Sequence, residues 1–118
     1  MFQSIKSYIV ALWPGPVSPE LKKSVESAIE SNKILVYSKT YCPYCTATKD
    51  LLGKYGVDYK LIELNTTSDG GEVQRALQEI SGQRTVPNVF INGEHIGGNS
   101  DLQALESKGE LKNLLATL

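Results

Sequence analysis

Cysteine is nearly absent from this chain: two residues in 118, accompanied by one histidine, one methionine and one tryptophan. That scarcity excludes a secreted scaffold stapled by several disulfides, because such scaffolds use multiple bridges in place of a core. It also argues against a structural zinc site, which takes about four ligands where only His95 could join the two thiols, so no metal is expected. An excess of charge is missing as well. The formal net charge is −1 and the isoelectric point is near 5.8, so no electrostatic footprint points to nucleic acid. Long apolar runs are absent: Ile9–Trp13 is far short of the roughly 20 residues that span a bilayer, and no stable membrane insertion is expected. Internal repeats and low-complexity tracts are lacking too. What remains is a chain with 41% hydrophobic residues, enough for one packed domain with one core.

The first 17 residues read as an extension. Phe2, Ile5, Ile9, Leu12 and Trp13 recur at helical spacing, and Lys6 is the only basic residue before Lys22. The segment suits an amphipathic helix laid on the domain or a disordered end. Pro14-Gly15-Pro16-Val17-Ser18-Pro19 breaks any helix and sets the start of the main domain, residues 18–118. A lone cysteine pair suits a reducing compartment. A cytoplasmic location is therefore expected, with mitochondrial or membrane-surface placement left open through residues 1–17.

Within the domain, Ser18 caps a helix that has Pro19 at its first position and Leu21, Val25, Ala28 and Ile29 on one face. Ile34–Tyr37 is a buried strand, and Pro43 opens a second helix carrying Ala47, Leu51 and Leu52. Val57–Leu64 reads as a second strand, and strand-helix-strand implies a parallel crossover. Val73, Leu77 and Ile80 mark a third helix ending at Gly82. Asn92-Gly93 joins Val89–Ile91 to Glu94–Ile96 as a β-hairpin with a type I′ turn. Asn99 or Ser100 caps a last helical region interrupted by Gly109. The order αβαβαββα is an α/β fold in which a four-stranded mixed sheet is flanked by helices.

Cys42-Pro43-Tyr44-Cys45 follows the first strand and opens the second helix, which is the setting of a dithiol redox site. Cys42 would occupy the N-cap, where unpaired backbone N–H groups and the positive end of the helix dipole stabilise an anion. Lys39 adds a positive charge nearby. Cys45 is one turn along the same face, within disulfide reach, and is expected to be the less exposed thiol. Access therefore assigns Cys42 as nucleophile and Cys45 as resolving thiol. A static staple is disfavoured, because closing so small a loop removes little unfolded-state entropy. His95 reads as structural or surface-exposed.

The element order, together with four segments, resembles the dithiol glutaredoxins, whose fold is the three-layer thioredoxin-like one. The segments are Lys39–Cys45, Gln83-Arg84-Thr85-Val86-Pro87, Asn92–Ile96 and Gly97–Asp101, and the likeness runs from about Ser18 to Leu118. It implies electron transport from glutathione, as co-substrate, to disulfide-containing and glutathionylated proteins, a part in cell redox homeostasis, and a monomer. It implies a redox-active Cys42–Cys45 disulfide and a cis Val86–Pro87 bond beside the dithiol. Lys39 and Arg84 would meet the glycine carboxylate of glutathione, Tyr41 and Tyr44 would wall its groove, and Thr85, Val86 and Pro87 would orient its backbone. Asn99 and Ser100 would offer helix N-terminal N–H groups to the γ-glutamyl carboxylate, and Asp101 would pair with its amine. A thioredoxin-type reductase is a poorer match, for neither a Trp before the first cysteine nor a Gly-Pro turn is present. The other alternative is a glutaredoxin that binds or transfers an iron–sulfur cluster through Cys42 and glutathione; Pro43 and Cys45 argue against it.

Overall fold

The computed structural model describes residues 15–118, so the helical pattern Phe2–Trp13 lies outside the described residues. Its elements are α1 (Pro19–Ser31), β1 (Ile34–Ser38), α2 (Pro43–Lys54), β2 (Lys60–Glu63), α3 (Gly70–Ser81), β3 (Asn88–Ile91), β4 (Glu94–Gly97), α4 (Asn99–Ser107) and α5 (Glu110–Ala116). Ser18 Oγ accepts the Leu21 N–H at 3.2 Å at the start of α1, with Pro19 just inside it, as its sequence signals demand. The sheet order is β2-β1-β3-β4. β1 runs parallel to β2 and antiparallel to β3, and β3 and β4 form the hairpin. Asn92 and Gly93, with φ of 52° and 79°, make its turn, as the Asn-Gly pair predicts.

Strand alternation divides the core into two. Leu35, Tyr37 and Phe90 face α1 and α3, where they pack with Val25, Ile29, Val73, Ala76 and Leu77. Ile34, Val36, Val89 and Ile91 face the other way, onto Leu51, Leu52, Leu102, Leu111 and Leu115 from α2, α4 and α5. A central strand with both faces covered reads as a continuous apolar run, which is why Ile34–Tyr37 was legible without alternation. The result is the three-layer arrangement with a four-stranded mixed sheet.

The structure departs from the sequence pattern at two places. β2 begins at Lys60 rather than Val57, because its parallel register spans only Leu35–Ser38 of β1; Val57 and Tyr59 pack on the core as a loop. The cap of α4 is Gly98, with Asn99 already helical, since the side chain that closes this end is Asp101, whose Oδ2 accepts the Gly98 N–H at 2.9 Å. The last helical region is interrupted at Gly109, as its sequence predicts: α4 and α5 lie on either side of this residue, whose φ of 74° stops α4. No described helix is long and apolar enough to cross a membrane. Residues 15–17 are tied to α3: the Arg75 guanidinium donates to Gly15 C=O, and Val17 N–H donates to Glu79 Oε2 at 3.2 Å.

Tyr37, 1% exposed, meets Phe90 edge-on at 6.3 Å, and burial pushes its phenol up to about 12. A folded-state value above the unfolded one of about 10 means that the folded chain holds the proton more tightly. Its contribution is therefore complete below pH 10 and is lost as pH rises from about 10 to 12, at about 1.4 kcal/mol per pH unit. Urea unfolding between pH 9 and 12 checks this. Wild type should lose about 2–3 kcal/mol more than Tyr37→Phe, which has no proton to release there.

Candidate functional site

The turn that follows β1 carries the two thiols, and the loop that follows β2 holds it in place. Leu64 N–H donates to Ser38 C=O at 2.8 Å. Thr40 N–H donates to Asn65 Oδ1 at 3.0 Å, and Asn65 Nδ2 returns a bond to Thr40 Oγ1 at 2.6 Å. The Cys42 N–H closes the turn onto Lys39 C=O at 3.2 Å. Cys42 thereby arrives at the N-cap of α2 in extended conformation, with φ −94° and ψ 117°, and Pro43 follows at the first helical position.

At that cap the ligand of the helix is sulfur. Cys42 Sγ accepts the Cys45 N–H at 3.3 Å and lies 3.9 Å from the Val86 carbonyl oxygen. Negative charge on this sulfur is placed where the helix dipole and an otherwise orphaned N–H favour it. Cys42 is half-buried, whereas Cys45 is fully buried, and both are free thiols. Burial pushes the Cys45 thiol up, helped by Cys42 beside it, while hydrogen bonds with the Lys39 backbone and the Ser38 hydroxyl act in the opposite sense. A half-buried sulfur at a helix cap beside a fully buried one held protonated is the asymmetry that a nucleophile and its resolving partner require.

Next to Cys42 opens a cleft of about 480 Å³ lined by Tyr44, Thr85, Val86, Pro87, Gly98, Asn99 and Ser100. Six of the residues singled out in the sequence thus converge, joined by Gly98. The Val86–Pro87 bond is cis. Gln83 Nε2 donates to Thr85 C=O and to Pro87 C=O, both at 3.0 Å, and so spans this bond. Gln74 Nε2 donates to Arg84 C=O at 2.8 Å from α3. Neither glutamine stood out in the sequence: Gln83 sits in a recognised segment without a role, and Gln74 carries no local signal. On the opposite wall, buried Thr48 donates to Asn99 Oδ1 at 3.0 Å, fixing that side chain against α2.

Four of the residues expected to meet glutathione lie outside the lining. Tyr41 is 71% exposed, Arg84 and Asp101 are exposed, and Lys39 is half-buried. Among the described residues no carboxylate lies within ion-pair distance of Lys39 or Arg84. Asp101 uses Oδ2 on the Gly98 N–H. This packing needs glycine at position 97, where φ is +120° and a Cβ would fall 2.3 Å from that carboxylate oxygen. His95 is structural here: its Nε2 is 2.8 Å from Oδ1 of buried Asn88, and its ring lies against Phe90 at 5.1 Å. Burial holds its pKa below the usual histidine range, and Asp101 acts in the opposite sense. Among the described residues no cluster of three or more His, Cys, Asp or Glu could hold a metal ion.

The family model described as Glutaredoxin matches residues 34–96. A glutaredoxin of Ricinus communis is 58% identical over 87 residues, covering 74% of this chain and 85% of that protein. Glutaredoxin-1 of Saccharomyces cerevisiae is 52% identical over 103 residues, covering 84% and 94%. Among solved structures, a buckwheat glutaredoxin–glutathione complex superposes with a TM-score of 0.78 at 41% identity, covering 85% of this chain and 94% of that one.

Proposed function

The chain belongs to the glutaredoxin family, and we propose that it is a glutathione-dependent thiol–disulfide oxidoreductase that works by two routes from one nucleophile. In the monothiol route, the Cys42 thiolate attacks the glutathionyl sulfur of a glutathionylated protein. A bond forms between Cys42 Sγ and that sulfur, the protein–sulfur bond breaks, and the protein leaves as a thiolate. A second glutathione thiolate then attacks the enzyme-bound glutathionyl group, and glutathione disulfide leaves. In the dithiol route, Cys42 forms a mixed disulfide with a substrate protein, and Cys45 attacks Cys42 Sγ to release the second substrate thiol.

The observation that carries this reading is a half-exposed sulfur at a helix N-cap, holding an N–H at 3.3 Å, beside a cleft of about 480 Å³. We assign glutathione to that cleft, with its cysteinyl backbone along Thr85-Val86-Pro87 and its γ-glutamyl end at Asn99, Ser100 and Asp101. Tyr41 and Tyr44 flank it, and its glycine carboxylate lies toward Lys39 and Arg84, a cationic pair with no internal anion of its own. Glutathione held in a buckwheat glutaredoxin of the same fold supports the assignment. We further propose a cytoplasmic monomer. Its support is a cysteine content suited to a reducing compartment, and exposed large hydrophobics that, among the described residues, are limited to Tyr41, Tyr44 and Leu61.

The test is a glutathione-coupled reduction of hydroxyethyl disulfide, run beside reduction of a disulfide-bonded protein. Cys45→Ser should retain at least about half of the first activity and lose the second by about 100-fold or more, since only the dithiol route needs a resolving thiol. Equal loss of both would refute the two-route reading.

A further inference from the structure

Asn99 lines the cleft, and the orientation of its amide is set from behind. Oδ1 accepts two hydrogen bonds, one from the Thr48 hydroxyl of α2 at 3.0 Å and one from Gln103 Nε2, a turn further along α4, at 3.3 Å. A carbonyl oxygen has two lone pairs, so this one is fully used. Asn99 Nδ2 has no acceptor among the described residues. It is not sealed in the interior either, for the one buried side-chain polar atom without a partner among them belongs to Glu106. The side chain thus holds its acceptor inward and keeps two N–H donors free. Turned over, the amide would set Nδ2 against the Gln103 donor.

Thr48 is fully buried among Cys45, Leu51 and Leu52 on α2. An apolar side chain of the same shape would pack there without a hydroxyl to satisfy. Its side-chain bond crosses to α4 instead of turning back onto its own helix. The same helix has Cys42 as its N-cap, six residues or about 9 Å of helix away. One rigid element therefore carries the nucleophile and anchors the far wall of the cleft. We propose that Thr48 is a specificity-determining residue for the glutathionyl group: by holding Asn99 Oδ1 away from the cleft it presents Nδ2 to the γ-glutamyl carboxylate. This rests on the placing of glutathione in the cleft. An N–H attracts that carboxylate, whereas an amide oxygen in its place would repel it. Thr48 is a positioning residue, acting through Asn99 and not touching substrate. A disulfide without a γ-glutamyl group gains nothing from Asn99 and loses nothing with Thr48.

The experiment mixes reduced enzyme with glutathione disulfide or with the disulfide of cysteinylglycine, which is glutathione without its γ-glutamyl group. Samples are quenched in acid at intervals and weighed by mass spectrometry. Decay of the reduced mass gives the rate at which each disulfide loads its half onto Cys42. Wild type should load from glutathione disulfide the faster. Thr48→Val, which keeps the shape and removes the hydroxyl, should lower the glutathione rate by about 3- to 10-fold and leave the cysteinylglycine rate within about twofold. Thr48→Ser, which keeps the hydroxyl, should restore most of the loss. Asn99→Ala should slow glutathione loading at least as much, and adding Thr48→Val to it should slow it no further. Wild-type rates for both disulfides in Thr48→Val would overturn the proposal, as would a further fall in the double variant. So would equal slowing with both disulfides and a lowered melting temperature, the mark of a hydroxyl that serves only the packing of α2 on α4. A wild type that loads the two disulfides equally would strike the placing of glutathione in the cleft, and this proposal with it.

Discussion

Cys42→Ser is expected to lose both activities, hydroxyethyl disulfide reduction and protein-disulfide reduction, by about 10³-fold or more. The size of the effect follows from chemistry rather than from folding. A serine hydroxyl is not ionised at neutral pH and lacks the nucleophilicity of a thiolate, and Cys45, fully buried, cannot be reached by glutathione or a protein disulfide to take its place. The fold, by contrast, should tolerate the change. Cys42 is the N-cap of α2 and its side chain accepts the Cys45 N–H; serine is among the best residues for that position. The melting temperature of Cys42→Ser should therefore stay within about 3 °C of wild type, a shift worth less than about 1 kcal/mol. An inactive enzyme that melts normally separates a chemical role from a structural one. Full activity in Cys42→Ser would end the assignment, because no other accessible thiol exists in the chain.

The contrast with Cys45 shows why the dithiol was legible in the sequence and its support was not. A strand, a turn and two cysteines three apart put one sulfur at a helix cap and the other inside the first turn, and local geometry alone decides which is accessible. The cleft walls were legible only through resemblance, since Thr85-Val86-Pro87 and Gly98-Asn99-Ser100 meet because β3 lies beside β1 and β4 beside β3. Thr48 shows a third case. It looks like an incidental polar residue where it stands. Its meeting with Asn99 depends on the packing of α2 against α4, which joins residues 51 apart in the chain, and no local pattern carries it. Gln74 and Gln83 are of the same kind, for they act by holding the carbonyls of a loop rather than by any chemistry of their own. The start of β2 differs because Val57–Tyr59 is apolar enough for a strand, yet beyond the Leu35–Lys60 pair only Ile34 of β1 remains, too little to carry the ladder back to Val57.

Gly70→Ala should be the most damaging of the conservative changes to the fold, costing about 4 kcal/mol or more and lowering the melting temperature by at least about 10 °C. Gly70 opens α3 directly under the loop that leaves β2. A Cβ there would lie 1.7 Å from the Leu64 carbonyl oxygen and 2.7 Å from its carbon. Both are backbone atoms, so no side-chain rotation relieves the overlap, and either α3 or the exit of β2 must move. Neither moves freely: Leu64 is buried in the core with Val73, Ala76 and Leu77 of α3, and its N–H is bound to Ser38. The neighbouring Gly71→Ala is the control, since a Cβ there meets nothing within 4 Å and alanine raises helix propensity by up to about 1 kcal/mol. Thermal unfolding of the two variants should therefore move in opposite directions. The damage at Gly70 should also reach the site, because Leu64 and Asn65 hold Ser38 and Thr40 in the turn that delivers Cys42. Whatever Gly70→Ala protein remains folded should load glutathione more slowly than wild type, and a normal loading rate would show that the turn keeps its shape without that clasp.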